Sequence, residues 1–298
     1  MKSVNLLLAL PLLVLTGACE KEEIKEEPAL VFRFKLDSTQ VRLNNIGEPA
    51  QVPQNHRAQN PSFNKIALHY IELAPEPTTP LGTGAIIYQS PSTSVAGQDA
   101  IDFSKLPITQ DGKNFLRIPF KNVPAGNYKW IRVSLAYQNY AIRFRVFVEP
   151  LQQHMQFNGT IASFIGYRQY ITSVPVKSMQ LTVNGNKEQG FWGFETEIPN
   201  ASSQLTTGQA PPGATTVPNP LFNSSPIPQG SCVVTGPFEN ALVIPANPSS
   251  DIIIELRVSI NNSFEWLETG NNDTFDPLDG DQVVDMGVRG LIPVVLPQ

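Results

Sequence analysis

The chain has 298 residues, enough for one large domain or two small ones. Apolar residues make up 41%, which can supply a core, whereas charged residues make up only 16%, against about 25% in an ordinary soluble domain. This excludes a coiled coil, a collagen, a polytopic membrane protein and a highly charged disordered chain. A net charge of −5 with no basic block argues against a nucleic-acid partner. Polarity is carried by neutral amides instead, 22 Asn and 19 Gln, and the two cysteines cannot form a disulfide scaffold.

Lys2 precedes an apolar run over residues 6–15, broken by Pro11. A spanning helix needs about 20 residues, so the run reads as a signal-peptide core and not as a membrane anchor. Thr16, Gly17 and Ala18 then lead into Cys19. This resembles the lipobox of bacterial lipoproteins, with Thr16 where leucine is usual and Leu15 one place early. The resemblance implies cleavage before Cys19 and acylation there by diacylglyceryl and fatty acyl (palmitate-type) chains. An ordinary signal peptide cut after Ala18, leaving Cys19 free, is the alternative.

Glu20, Lys21, Glu22 and Glu23 open a charge run that continues through Lys25, Glu26 and Glu27. Like charges with no apolar face make a solvated tether, able to hold a body up to about 30 Å from the lipid head groups. Lysine followed by acids just after the cysteine also resembles the lipoprotein export signal of Bacteroidota. That resemblance implies the outer membrane, facing the cell exterior, with the periplasmic face as the alternative.

From residue 28 the apolar period is close to two. Phe32, Phe34 and Leu36 alternate with Arg33 and Lys35, as a half-buried strand requires. Similar segments follow at 65–73, 85–88, 115–120, 129–136, 141–148, 160–165, 179–183 and 252–260. In 141–148, Ile142, Phe144, Phe147 and Val148 read as inward, with a slip near Val146. Asn184-Gly185 reads as a turn between two strands. No window of eleven residues carries a helical stripe free of Pro or Gly. The fold class expected is all-β: an antiparallel β-sandwich, immunoglobulin-like or prealbumin-like, with long Pro-rich loops.

The expected organisation is a signal peptide over 1–18, an anchor cysteine and tether over 19–28, and a β-sandwich over 29–298. Residues 44–64 read as a long polar loop. Residues 199–230, with seven prolines, read as a loop extruded from the body or as a boundary between two β-domains. At 122–135 the sequence NVPAGNYKWIRVSL runs from a turn into an alternating strand. Its Pro-Ala-Gly-x-Tyr motif resembles that of the methanobactin-associated periplasmic copper-binding family and of uncharacterised β-sandwich lipoproteins. The order of a Phe-rich strand, a long loop, a His-Tyr-Ile strand and this motif spans residues 30–148. Residues 283–293 are similar to the C-terminal region of Bacteroidota surface lipoproteins.

Residues with chemistry are sparse. His56, His69 and His154 have no metal-ligand spacing and read as ordinary surface or edge histidines. A copper site, which the family resemblance implies, would need them gathered by the fold, with Met155 and Met179 as soft helpers. Asp273, Asp276, Asp279 and Asp281 crowd around Gly280, a set of hard ligands that calcium could bridge, although the EF-hand spacing is absent. A solvated acidic loop is the alternative. Trp192 and Trp266 are candidate exposed glycan platforms, against a core reading for both. Asp37-Ser38-Thr39 resembles the Bacteroidota O-glycosylation site, with Ser38 as acceptor. Cys232 reads as a buried free thiol at a strand start.

No nucleophile elbow or catalytic constellation is visible, so no enzyme is expected. The expected role is a non-catalytic, lipid-anchored binding or complex-assembly module. Its partners would be the membrane, through its lipid, and an outer-membrane protein. A surface ligand-binder for glycan or metal, such as calcium or copper, is the alternative.

Overall fold

The computed structural model describes residues 27–44, 46–76, 79–197, 203–210 and 232–297. Cys19, Glu20, Lys21, Glu22 and Glu23 lie outside them, as does most of the Pro-rich stretch. Eighteen strands follow in chain order: β1 Ala29–Asp37, β2 His56–Gln59, β3 Ser62–Ala74, β4 Ala85–Gln89, β5 Ser92–Thr93, β6 Ala100–Asp102, β7 Asn114–Pro119, β8 Gly126–Val148, β9 Gln153–Phe164, β10 Arg168–Pro175, β11 Gln180–Glu188, β12 Phe191–Glu197, β13 Gln204–Gln209, β14 Cys232–Ile244, β15 Ile252–Ser259, β16 Phe264–Leu267, β17 Gln282–Asp285 and β18 Leu291–Val295. The described residues hold no α-helix, only three single turns of 3-10 helix. The fold is all-β and sandwich-like, as the alternating pattern predicts.

A seven-stranded sheet is the backbone of the molecule, in the order β13-β12-β9-β8-β3-β4, with β14 also paired to β8. Three smaller sheets join it: β18-β15-β1-β7, β11-β10-β6-β5 and β17-β16-β2. Most pairs are antiparallel, but β1 runs parallel to β15, and β6 parallel to β10. More than 200 residues separate β1 from β15, so no hairpin dictates their sense.

Three cores follow from this layering. Leu30, Phe32 and Phe34 of β1 and Ile254, Leu256 and Val258 of β15 meet Ile131, Val133 and Leu135 of β8. Arg33 and Lys35 point away, and Arg33 pairs with its register partner Glu255 at 2.8 Å. The second core sets Ala136, Ala162 and Phe164 against Ile171, Val174 and Leu181. The third sets Tyr140, Ile142 and Phe144 against Phe264, Trp266 and Met286. It is the aromatic one.

β8 ties the three together. The segments 129–136 and 141–148, expected as two strands, are one continuous strand of 23 residues. No slip occurs at Val146: the pairing with β9 is regular through Val148, so Phe147 faces outward and is 40% exposed. Asn184-Gly185 is not a hairpin turn. It lies inside β11, where a register shift against β10 and a φ of 51° at Asn184 mark a bulge; the chain reverses at Gly190 instead. The stretch 199–230 contains a strand, β13, and the expected loop at 44–64 contains β2.

β14 pairs with β8 and β15 with β1, so residues after the Pro-rich stretch are woven into sheets begun before it.

The chain enters the body beside the start of β8. Ala29 pairs with Pro119, the Phe120 amide donates to the Pro28 carbonyl, and Lys121 pairs with Glu27 at 2.9 Å. β8 begins four residues after that short helical turn. Its 23 residues, at about 3.3 Å each, give a path of about 70 Å along the strand to the β8–β9 tip. The chain's entry and the tip lie at opposite ends of this strand.

Candidate functional site

Two clefts lie near the far end, on either side of the aromatic core. Phe264, Trp266 and Phe275 form its wall, with ring centroids 5.0 to 6.0 Å apart. Phe275 lines both clefts.

The apolar cleft has a volume of about 340 Å³. Ile161, Trp192, Phe194, Phe264 and Met286 line it, with Gln209, Asp281 and Gln282 as polar groups. The Trp192 indole lies against Gly208 of β13, where any Cβ would overlap the ring. Phe194 likewise occupies the space above Gly159. Both aromatics hold their positions because the facing strands carry glycine there.

The polar cleft measures about 330 Å³. It is walled by Gln59, Asn60, Arg143, Gln156, Asn262 and Thr274, with Asp273 beside them. Past Ala141, β3 no longer covers that edge of β8, and side chains and loops close it instead. The Gln59 amide donates to the Arg143 carbonyl at 2.8 Å and accepts from the Arg143 N–H at 2.9 Å. The Arg145 N–H donates to the Phe275 carbonyl at 2.8 Å. The Asn262 N–H donates to Asn60 Oδ1 at 2.6 Å, and Arg57 pairs with Asp273. Asn262 and Asp273 have φ of 50° and 57°, a left-handed backbone that Asn and Asp tolerate better than other residues. The walls are fixed by the protein's own bonds.

The aspartate loop does not gather into a cation site. Among the described residues no three His, Cys, Asp or Glu side chains converge as metal ligands. Each carboxylate has a separate partner. Arg145 grips Asp276 with Nε at 2.9 Å and Nη2 at 2.6 Å. Asp281 accepts from the Thr269 N–H at 2.9 Å and from the Asp276 N–H at 2.8 Å. Asp279 meets His154 Nε2 at 2.8 Å, and Asp273 is held by Arg57. Arginine and backbone N–H groups supply the compensation that calcium was expected to supply.

The histidines are likewise dispersed, and with them the expected copper ligands. His56 Nδ1 lies 2.5 Å from Glu265, and His154 packs on Phe147. His69 is not at a surface or an edge: it is fully buried, 5.8 Å from the Tyr167 ring. Burial lowers its pKa to about 3, against the opposing pull of the Ser134 backbone, so its ring stays neutral.

Trp266 is not an exposed platform. It is 1% exposed and belongs to the aromatic wall, because β2 and β17 flank its strand and Phe275 covers it. Trp192 is half-buried in the other cleft, so the two tryptophans do not share one face. Ser38 is exposed in a turn that Asp37 closes by accepting from the Thr39 N–H at 2.7 Å. Cys232 is buried, and burial pushes its thiol up to about 12.

The largest buried charge cluster underlies the same end. Glu265 accepts from Arg42 at 2.7 Å and from His56, and Arg289 sits 3.4 Å away. Arg289 also pairs with Asp285 at 2.5 Å. Burial alone would raise the Glu265 pKa, but the hydrogen bonds from His56 and Arg42 and the Arg289 charge carry it below the usual range. Burial raises that of Asp285, against Arg289. The cluster's groups fasten β16 and β17 to Arg42 and to Arg289. It serves the fold.

Sequence reasoning missed Arg143. The chain has ten arginines, and nine of them form salt bridges: residues 33, 42, 57, 117, 132, 145, 168, 257 and 289. Arg143 forms none among the described residues. The alternation of Arg143 and Arg145 in β8 is legible, but only the fold shows which of the two is spoken for.

Comparison with known proteins returned no matching family model, no matching curated protein and no matching solved structure.

Proposed function

We propose that this protein is a non-catalytic, lipid-anchored outer-membrane protein that displays a binding end to the cell exterior. The observation that carries this reading is the opposition of its two ends. Glu27 to Ala29, where the tether joins the body, lies beside the start of β8. Arg143 and its cleft stand seventeen residues further along the strand, a path of about 55 Å. A body held by Cys19 therefore directs its clefts and tip away from the bilayer. Acyl chains on Cys19 supply the anchoring, and Glu20, Lys21, Glu22 and Glu23 are the spacer and export signal.

Complex assembly is supported by the tip itself. Phe147, Leu151 and Leu278 are exposed there to 40%, 55% and 78%. Phe147 and the Leu278 loop are joined there: Phe147 stacks edge-on with His154, and His154 bonds Asp279, the neighbour of Leu278. A partner protein in the outer membrane or on a second surface structure would cover such a group.

The test is Cys19→Ser in the native host. The wild-type chain incorporates labelled palmitate and sediments with outer membranes; the variant takes up no label and leaves the membrane fraction. Wild-type protein without label, or a variant still held in the membrane, would contradict the anchor. Pull-down from gently solubilised membranes tests the partner, and recovery of the chain alone would contradict the assembly role.

A further inference from the structure

We infer that the polar cleft is a binding site for a carboxylate-bearing sugar, the uronic- or sialic-acid unit of an acidic glycan. This deepens the reading of the far end as the binding end and rests on it. Nine of ten arginines in this charge-poor chain are committed to carboxylates of the protein, whereas the guanidinium of Arg143 meets none among the described residues. It lines a cleft of about 330 Å³, a volume suited to a small ligand unit.

A guanidinium matches a carboxylate with two parallel hydrogen bonds. Around it the lining is neutral and hydroxyl-compatible. Gln156, Asn60 and Asn262 offer amides, which both donate and accept, and Thr274 offers a hydroxyl. The main chain of Arg143 is clamped by Gln59, and Asn60 by the Asn262 amide, so the backbone of the site is fixed and binding orders only side chains. Asp273 at the same cleft is already neutralised by Arg57 and leaves one uncommitted positive charge. One charge suits a carboxylate monoanion better than a phosphate dianion. The aromatic neighbours Trp266 and Phe275 are buried, so recognition is by hydrogen bonding and charge, with no stacking platform.

The experiment is calorimetry of the purified full-length protein in detergent micelles. The probes are oligogalacturonate, oligomannuronate, hyaluronan oligomers and sialyllactose, with their neutral counterparts and inorganic phosphate beside them. At least one acidic oligosaccharide is expected to bind about tenfold or more tightly than its neutral counterpart, and Arg143→Gln to remove that preference. The exposed Arg143 side chain makes no bond that folding needs, and an unchanged melting temperature verifies the variant. Gln156→Ala gives a second, milder loss. No heat from any of the four probes, equal binding by Arg143→Gln, or tighter binding of phosphate would overturn the inference. Failure here is distinguishable from failure of the parent reading, because palmitate labelling at Cys19 reports the anchor independently of the cleft.

Discussion

The two ends of β8 are built on different chemistry. At the end where the chain enters the body, β1 and β15 press Leu, Ile, Val and Phe against the large sheet, and charge is either on the outer face, as in Arg33 with Glu255, or confined to the single buried pair of Arg132 with Glu72. At the far end the core is aromatic, and charge is drawn inside it around Glu265, Asp285, Arg42 and Arg289. The first arrangement needs alternation and one buried ion pair. The second needs partners placed one by one, and it leaves open clefts between them. One strand, β8, crosses both regions and joins them.

The comparison is broken most forcefully at Glu265. Glu265→Ala leaves two buried arginines without their shared carboxylate, and a loss of about 3–5 kcal/mol is expected in urea denaturation. At the entry end, Ile254→Ala removes only apolar packing and should cost about 2–5 kcal/mol. Salt separates the two losses: raised ionic strength changes the Ile254 penalty little, while a fully screened Glu265 penalty would mean that the cluster is not buried.

Acid sharpens the difference. The His69 pKa is lowered by burial to about 3 from an ordinary 6.5, so below 6.5 the unfolded chain takes up a proton that the folded chain refuses. Stability is complete above pH 6.5 and falls as pH drops toward 3. Glu265, whose folded pKa is lowered, adds a second loss as pH falls below about 4.5 through its folded value. Melting temperatures at pH 7 and pH 5 should differ less for His69→Gln than for the wild type; an unchanged slope would mean that His69 is hydrated. The smallest effect on stability belongs to Arg143→Gln, within about 0.5 kcal/mol, although it is expected to remove the preference for an acidic over a neutral sugar.

Much of the entry end is legible in the sequence, because a single half-buried strand announces itself by period two. Phe32, Phe34 and Leu36, or Ile66 and Leu68, needed no partner to be read. The far end is written in residues whose role depends on distant partners. Asp276 and Arg145 are 131 positions apart, as are no two residues a local pattern can join. Four aspartates in sequence look like ligands until the fold hands each a different arginine, histidine or amide. Trp266 looked available as a platform because a tryptophan's exposure is decided by what packs over it. His69 sits at a bulge in β3, where alternation no longer tells inside from outside. Arg143 and Arg145 are equivalent by pattern, and only the loop that supplies Asp276 makes them unequal.

Orientation is the claim on which the rest depends, and the cysteine chemistry makes it measurable. Cys232 is buried with its thiol pushed up to about 12, so it contributes no background to thiol labelling. Leu151→Cys places a reactive thiol at the exposed tip of the β8–β9 hairpin. Intact cells carrying this variant should react with a membrane-impermeant maleimide as fully as lysed cells do. Labelling that appears only after lysis would place the far end inside the outer membrane and contradict the account.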